Sequence, residues 1–223
     1  MKIKVNIFNV ILIFVFFVLL QSGCAQNSSK YHHDNESYKE LKLKFDKKLV
    51  SHFPLNLSKT GDSHSTYSYT DRTKNDFSLL LYEYGVDKNE SDSIRSKFEE
   101  LAIEKYKSSD SCLLVVNPFE TKETNFEHVM PDISTDLRNK NCLLSKLPVP
   151  NFVNYNEYNN SRPLRLDNSF VIYVVESKKD NNISKSLDLK PDPQMPEQWE
   201  NGYSRGIAFS EDKSIIIYWT VIW

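Results

Sequence analysis

Gly202-Tyr203-Ser204-Arg205-Gly206 sets a serine between two glycines four residues apart. That spacing suits a sharp strand-to-helix turn that lifts a nucleophilic Ser204 for acyl transfer, a chemistry that also needs a histidine base. Here a proline-rich stretch precedes the serine, a strand-like run follows it, and the last histidine is His128, far upstream. A catalytic Ser204 is therefore not expected. Backbone geometry gives a second account of the same residues. Two of the chain's five glycines fall in these five positions, as a tight turn, a bulge with positive φ or a close backbone approach would require. Trp199 and Tyr203 beside them read in two ways. They are core packed on a sheet edge, or they form with Arg205 an aromatic, hydrogen-bonding surface for a glycan or peptide.

The other chemical patterns are weaker. Lys59-Thr60-Gly61 and Ser210-Glu211-Asp212-Lys213 match the KTG and SxxK boxes of penicillin-binding enzymes. That chemistry needs SxxK first and at the start of a helix, whereas here the order is reversed and SxxK falls in a hairpin turn. His32-His33-Asp34 lies in a polar stretch, and adjacent histidines point apart, so no metal site is expected there. Cys112 and Cys142 have no CxxC or Cys/His ligand spacing. They are either a disulfide, if the chain is exported, or two buried thiols. No cofactor is expected.

Export is the reading at the other end of the chain. Lys2 and Lys4 give a short basic start, Val10–Leu20 is an unbroken apolar run, and Gln21-Ser22-Gly23-Cys24 follows. This is the layout of a secretory signal, and the run is shorter than the roughly 20 residues of a bilayer span. Leu19-Leu20-Gln21-Ser22-Gly23-Cys24 resembles the lipobox of bacterial lipoproteins of Bacteroidota type, in which the cysteine becomes the lipidated N-terminus. The resemblance implies cleavage before Cys24, lipid attachment there and a place in the cell envelope, with the outer membrane favoured. Ordinary cleavage after Ala25, using Gly23 and Ala25 as the small pair, would instead leave a secreted or periplasmic protein. The resemblance implies nothing about what the rest of the chain does.

The chain carries 28 basic and 30 acidic side chains, a net charge of −2. Loss of Lys2 and Lys4 with the leader makes it more acidic still. Without a basic block, a nucleic-acid partner is not expected. Three segments follow: a signal at 1–23, a lipidated Cys24 with a polar tether at 24–36, and one globular domain at 37–223.

Within that domain the periodicities predict the elements that must hold any site. Tyr38, Leu41, Phe45, Leu49 and Phe53 recur at helical spacing before Pro54, which gives a helix of about four turns. A short strand is expected around Thr66–Thr70, and Phe77–Tyr84 reads as a strand ending at Gly85. Asn89–Ser91 then cap a second helix, with Ile94, Phe98, Leu101, Ala102 and Tyr106 as its apolar stripe. Cys112–Val116 and Phe170–Glu176 are apolar on both faces and read as central strands. Residues 117–168, with five prolines, read as a long irregular excursion with one helical turn near Ser134–Lys140. Lys178–Asn182 reads as a polar turn. Arg205–Phe209, a turn at Ser210–Lys213 and Ile215–Trp223 make a hairpin whose last strand must be covered on both sides.

The predicted fold is α+β, a mainly antiparallel sheet carrying two amphipathic helices and ending in a β-hairpin. The expected function is non-catalytic: an envelope lipoprotein, membrane-bound through its lipid, whose domain binds a protein or a glycan. An envelope hydrolase with a site hidden from the sequence is the alternative.

Overall fold

The computed structural model describes residues 34–58, 61–68, 76–118, 141–152 and 166–223. Its frame is a six-stranded sheet of β1 (Asp62–Ser68), β2 (Phe77–Tyr84), β3 (Glu104–Lys107), β4 (Val171–Lys178), β5 (Tyr203–Ser210) and β6 (Ile215–Ile222). The order is β1-β2-β6-β5-β4-β3, with every neighbouring pair antiparallel. The expected C-terminal hairpin is present as β5–β6, and β6 runs between β2 and β5. That placement explains a strand with almost no polar face. Ile216, Tyr218 and Ile222 belong to one core and Ile217, Trp219 and Val221 to the other.

One face of the sheet carries the helices. The first, α1, spans the described residues 34–42, and α2 spans Lys88–Leu101. Tyr38, Phe45, Leu49, Phe53 and Phe98 are buried between them and the sheet. Two corrections concern α1. It is not a four-turn helix: beyond residue 42 the Leu41 and Lys42 carbonyls accept from amides only three residues on, and the Asp46 side chain then takes the Lys48 amide at 2.8 Å. A side chain that competes for backbone donors ends the helix there. The apolar spacing persists because the turns that follow still press Phe45, Leu49 and Phe53 onto the sheet. Nor does the folded part begin at residue 37. Asn35 is already buried, donating to Asn56 at 3.1 Å and accepting from the Leu57 amide at 3.0 Å.

The start of α2 also differs from expectation. Asp87, not Asn89–Ser91, is the cap, its carboxylate accepting from the Asn89 and Glu90 amides at 2.9 and 3.1 Å. Tyr106, which the sequence placed on the helix, lies in β3. Gly85 leaves β2 with φ of 65°, a conformation glycine adopts without penalty.

The opposite face is covered by chain without extended regular structure. Cys112–Val116 is not a sheet strand. Its only ladder among the described residues is a parallel bridge from Val115 to Val149, with the Val116 and Val149 amides donating at 2.9 Å. Leu113–Val116 are apolar all round because they form a cover, packed on Ile217, Trp219 and Val221 from outside the sheet. A disulfide joins Cys112 to Cys142 with Cα atoms 5.8 Å apart, fixing this cover to the four-residue helix α3 (Asn141–Leu144). In place of a polar turn, β4 runs on to Lys178 and Asp180 caps a short helix, α4 (Asn181–Ser186). Cys24, His32, His33, His128 and the turn near Ser134–Lys140 lie outside the described residues.

Candidate ligand-binding cleft

The residues that drew attention in the sequence do not form a binding surface. Trp199 is 8% exposed and Tyr203 is 3% exposed, so an aromatic patch of Trp199 and Tyr203 is ruled out. Trp199 ends a single 3₁₀ turn (Glu197–Trp199) and packs on Trp223, whose indole Nε1 donates to the Trp199 carbonyl at 2.6 Å. Tyr203 faces the helix-side core and donates to Glu176 at 2.8 Å. The surface beside them is a polar groove of about 650 Å³ lined by Lys179, Asp180, Glu197 and Asn201, with no exposed ring to stack a sugar.

Neither Gly202 nor Gly206 has positive φ; the close-approach alternative is what the backbone uses. A Cβ on Gly206 would strike the Tyr173 carbonyl oxygen and come within 2.8 Å of the Trp219 ring, and one on Gly202 would come within 3.0 Å of the Trp223 ring. Ser204 sits between them inside β5, fully buried, with its hydroxyl 3.4 Å from the Glu176 carbonyl. No sharp turn presents it and no helix follows it, so the geometry of an acyl-transfer nucleophile is missing at this serine.

Arg205 belongs to a closed polar cluster. A bulge between Val174 and Glu176 turns Glu176 to the face of the sheet that carries Arg205. The Arg205 Nε donates to Glu176 at 3.0 Å, and its Nη1 reaches the Ser51 hydroxyl at 3.0 Å and His52 Nδ1 at 3.4 Å. Lys48 and Lys178 also pair with Glu176, at 2.9 and 3.2 Å. Against burial, which alone would raise it, these hydrogen bonds hold the Glu176 carboxyl down at about 2. His52 is pushed down to about 3, first by burial and then by Arg205. It is a neutral ring whose Nε2 lies 3.1 and 3.0 Å from the Gly206 and Trp219 carbonyls. Those acceptors put the proton on Nε2 and leave Nδ1 to accept from Arg205. The cluster latches residues 48–52 to the sheet, and its hydrogen-bonding capacity is taken up within the fold.

A site with capacity left over lies on the same face, one strand pair away. A cleft of about 570 Å³ opens between residues 51–58, α2 and the sheet. Its floor holds Glu83 of β2 and Tyr218 of β6, 2% and 4% exposed. Leu81 pairs with Tyr218 and Glu83 with Ile216, so the two are diagonal cross-strand neighbours on one face. Phe53, Leu57, Ile94 and Phe98 wall the cleft, and Glu90 and Lys97 stand at its rim. Among the described residues Glu83 accepts one hydrogen bond, from the Ser58 amide at 3.1 Å. Burial pushes its carboxyl up to about 7; the Ser58 amide opposes that shift and Glu90 adds to it. Burial raises the Tyr218 phenol as well. A buried acid poised near neutrality in a cleft is a mark of functional sites.

Sequence reasoning passed over Glu83, yet a signal was there. In Phe77–Tyr84 it stands at the position that continues the Phe77, Leu79, Leu81 alternation, so a charge falls where the core side requires an apolar residue. Its partner Tyr218 is 135 residues further on, and nothing in the spacing links them.

No family model matches the chain, and neither a curated protein nor a solved structure matches it. Among the described residues no group of three or more His, Cys, Asp or Glu side chains could hold a metal, and no helix is long and apolar enough to cross a membrane.

Proposed function

We propose that the protein is a cell-envelope lipoprotein, held to the membrane by lipid on Cys24, whose folded domain binds a ligand or partner without transforming it. The observation that carries the compartment is the apolar run Val10–Leu20 closing on Ser22-Gly23-Cys24. The Cys112–Cys142 disulfide supports it, because such bonds persist in oxidising compartments outside the cytosol. The binding role is supported by the cleft over Glu83 and Tyr218, which offers polar groups on an apolar floor and walls. The serine that a hydrolase would call on is fully buried within β5, outside this cleft.

The test is made on native protein from a Bacteroidota host. The full chain should partition with membranes, and its intact mass should correspond to cleavage before Cys24 plus attached lipid. Cys24→Ser should release the chain or leave it unprocessed. An unmodified chain beginning at Gln26 refutes the lipoprotein reading, and catalytic turnover that survives purification to homogeneity refutes the binding role.

A further inference from the structure

The cleft over Glu83 is built with one charge missing. Glu83 forms no ion pair among the described residues, although Lys97 lines the same cleft and Lys42 reaches its Pro54 wall. Lys42 spends its ammonium on the Pro54 carbonyl at 2.8 Å, and Lys97 sits over the Phe98 ring at 5.7 Å. The Tyr218 hydroxyl, at the base of the same cleft, has no hydrogen-bond partner among the described residues. Tyr38, the other phenol nearby, is occupied, donating to the Pro54 carbonyl at 2.7 Å. What remains is a carboxyl with a spare oxygen and a phenol with both roles open, in a cleft lined by Phe53 and Phe98.

We propose that this cleft binds an organic cation, a primary ammonium or guanidinium group on a short apolar body, with the charge against Glu83 and the body between Phe53 and Phe98. An ammonium supplies what the site lacks. It neutralises a carboxylate that burial and Glu90 penalise, it donates to the Tyr218 oxygen, and it lies within reach of ring faces that attract cations. A neutral sugar would supply hydroxyls and leave the acid uncompensated. The same group can arrive as a free amine or on a lysine or arginine side chain of a partner protein. This inference rests on the binding role proposed above and gives it a chemical class.

Affinity then depends on pH through Glu83. The groups facing it are His52 from residues 51–58, Tyr38 from the first helical segment, Glu90 and Lys97 from α2, and Tyr218 from β6. His52 and both phenols are held neutral across the neutral range, His52 by a lowered and the phenols by raised proton affinity. Pairing with the cation requires Glu83 to be ionised. With its carboxyl at about 7, the ionised fraction falls about thirtyfold between pH 8 and pH 5.5, and apparent affinity falls with it.

The experiment uses the full lipidated chain in detergent, titrated with n-hexylamine, with N-acetyl-lysine methylamide and with 1-hexanol, and followed by calorimetry and by the Tyr218 ring resonances. Hexylamine should bind saturably with a Kd on the order of 1 mM, and hexanol at least about tenfold more weakly. Binding of the acetyl-lysine amide as well assigns the site to a protein side chain; binding of hexylamine alone assigns it to a free amine. Glu83→Gln should weaken hexylamine at least about tenfold and abolish the pH dependence. Tyr218→Phe should weaken it several-fold with the fold retained. Equal binding of hexanol, no saturable shift with either amine, or an unchanged Kd in Glu83→Gln overturns the proposal. A lipidated chain that captures a partner yet fails these tests loses only the cation assignment, whereas an unlipidated or catalytic chain loses the reading beneath it.

Discussion

Glu83→Gln should make the protein more stable, and only above mildly acidic pH. The carboxyl is 2% exposed and forms no ion pair among the described residues, and burial pushes it from the ordinary 4.5 to about 7. The folded state therefore holds this proton more tightly than the unfolded chain does. Stability from the shift is complete below pH 4.5 and is lost as pH rises through 7, the reverse of an acid stabilised by a partner. At about 1.4 kcal/mol per pH unit, the loss by pH 8.5 amounts to about 3 kcal/mol. Glutamine keeps the carbonyl that accepts from Ser58 and never ionises. At pH 4 the variant and the wild type should agree within about 1 kcal/mol, and at pH 8.5 the variant should lead by about 2–3 kcal/mol.

Urea unfolding at pH 4, 5.5, 7 and 8.5, followed by tryptophan fluorescence, gives the comparison directly. Other acids cancel in the difference. Glu176 and Asp167, both held at about 2, contribute stability above the ordinary carboxylate range that is lost as pH falls towards 2, in wild type and variant alike. Most of the gap should open between pH 4.5 and 7. A difference that stays flat across the series, or that widens towards acid, would show that Glu83 is solvated or ion-paired. The cleft as described would then be wrong. No ligand enters this measurement, so it judges the site's electrostatics separately from what the site binds.

Three further predictions concern the other face. Reducing the Cys112–Cys142 bond, or replacing both residues with serine, should cost about 3–4 kcal/mol, since the bond closes a loop 30 residues apart in sequence; thiol titration of the unfolded, unreduced protein should find neither cysteine free. Gly206→Ala should destabilise by about 1–3 kcal/mol, because its methyl group meets the Tyr173 carbonyl and the fully buried Trp219 ring. Ser204→Ala should stay within about 1 kcal/mol of wild type, its hydroxyl making only a long contact of 3.4 Å. Thermal melts of the two variants side by side decide the point, and a neutral Gly206→Ala would refute the close approach.

The legible parts of the fold were those set by local pattern. The apolar and aromatic run Phe77–Tyr84 with its stop at Gly85, apolar density on both sides of Ile215–Ile222 and the helical stripe around Ile94 and Phe98 each fix an element without reference to the rest of the chain. Some misreadings came where a distant partner decides, others where a nearby side chain takes a backbone amide. Cys112–Val116 has a strand's composition, but whether it enters the sheet or covers it depends on Val149 and Trp219, neither of which is near in sequence. Tyr38–Phe53 has a helix's period, but the Asp46 carboxylate competes for the Lys48 amide and ends it early. The Asp180 cap of α4 was readable and passed over, since Asp-Asn-Asn followed by isoleucine also looks like a turn. The cleft was hidden for the same reason as the cover. Its two floor residues meet only through the β2–β6 pairing, which closes the sheet across most of the chain.

The pattern that most resembled an active site is explained by shape. On the cover side of β5 the residues in succession are Ser204, Gly206, Ala208 and Ser210, all small and all at or near zero exposure where they are buried. Opposite them β6 presents Trp219 and the chain runs on to Trp223, the two largest fully buried side chains of the cover-side core. Two indoles fit over one strand only if the facing positions carry almost no side chain, and Gly202 and Gly206 touch those rings even as hydrogens are replaced in thought by a methyl group. A glycine–serine–glycine spacing of four is what a flat strand needs to seat rings on alternate residues. On the other side of the same strand Tyr203, Arg205 and Ile207 face the helices, where Arg205 and Glu176 hold residues 48–52 in place. Those residues lead directly into the wall of the cleft at Phe53. The stripe of small residues thus serves packing on one face, while the polar cluster on the other positions the wall against which a ligand over Glu83 would lie.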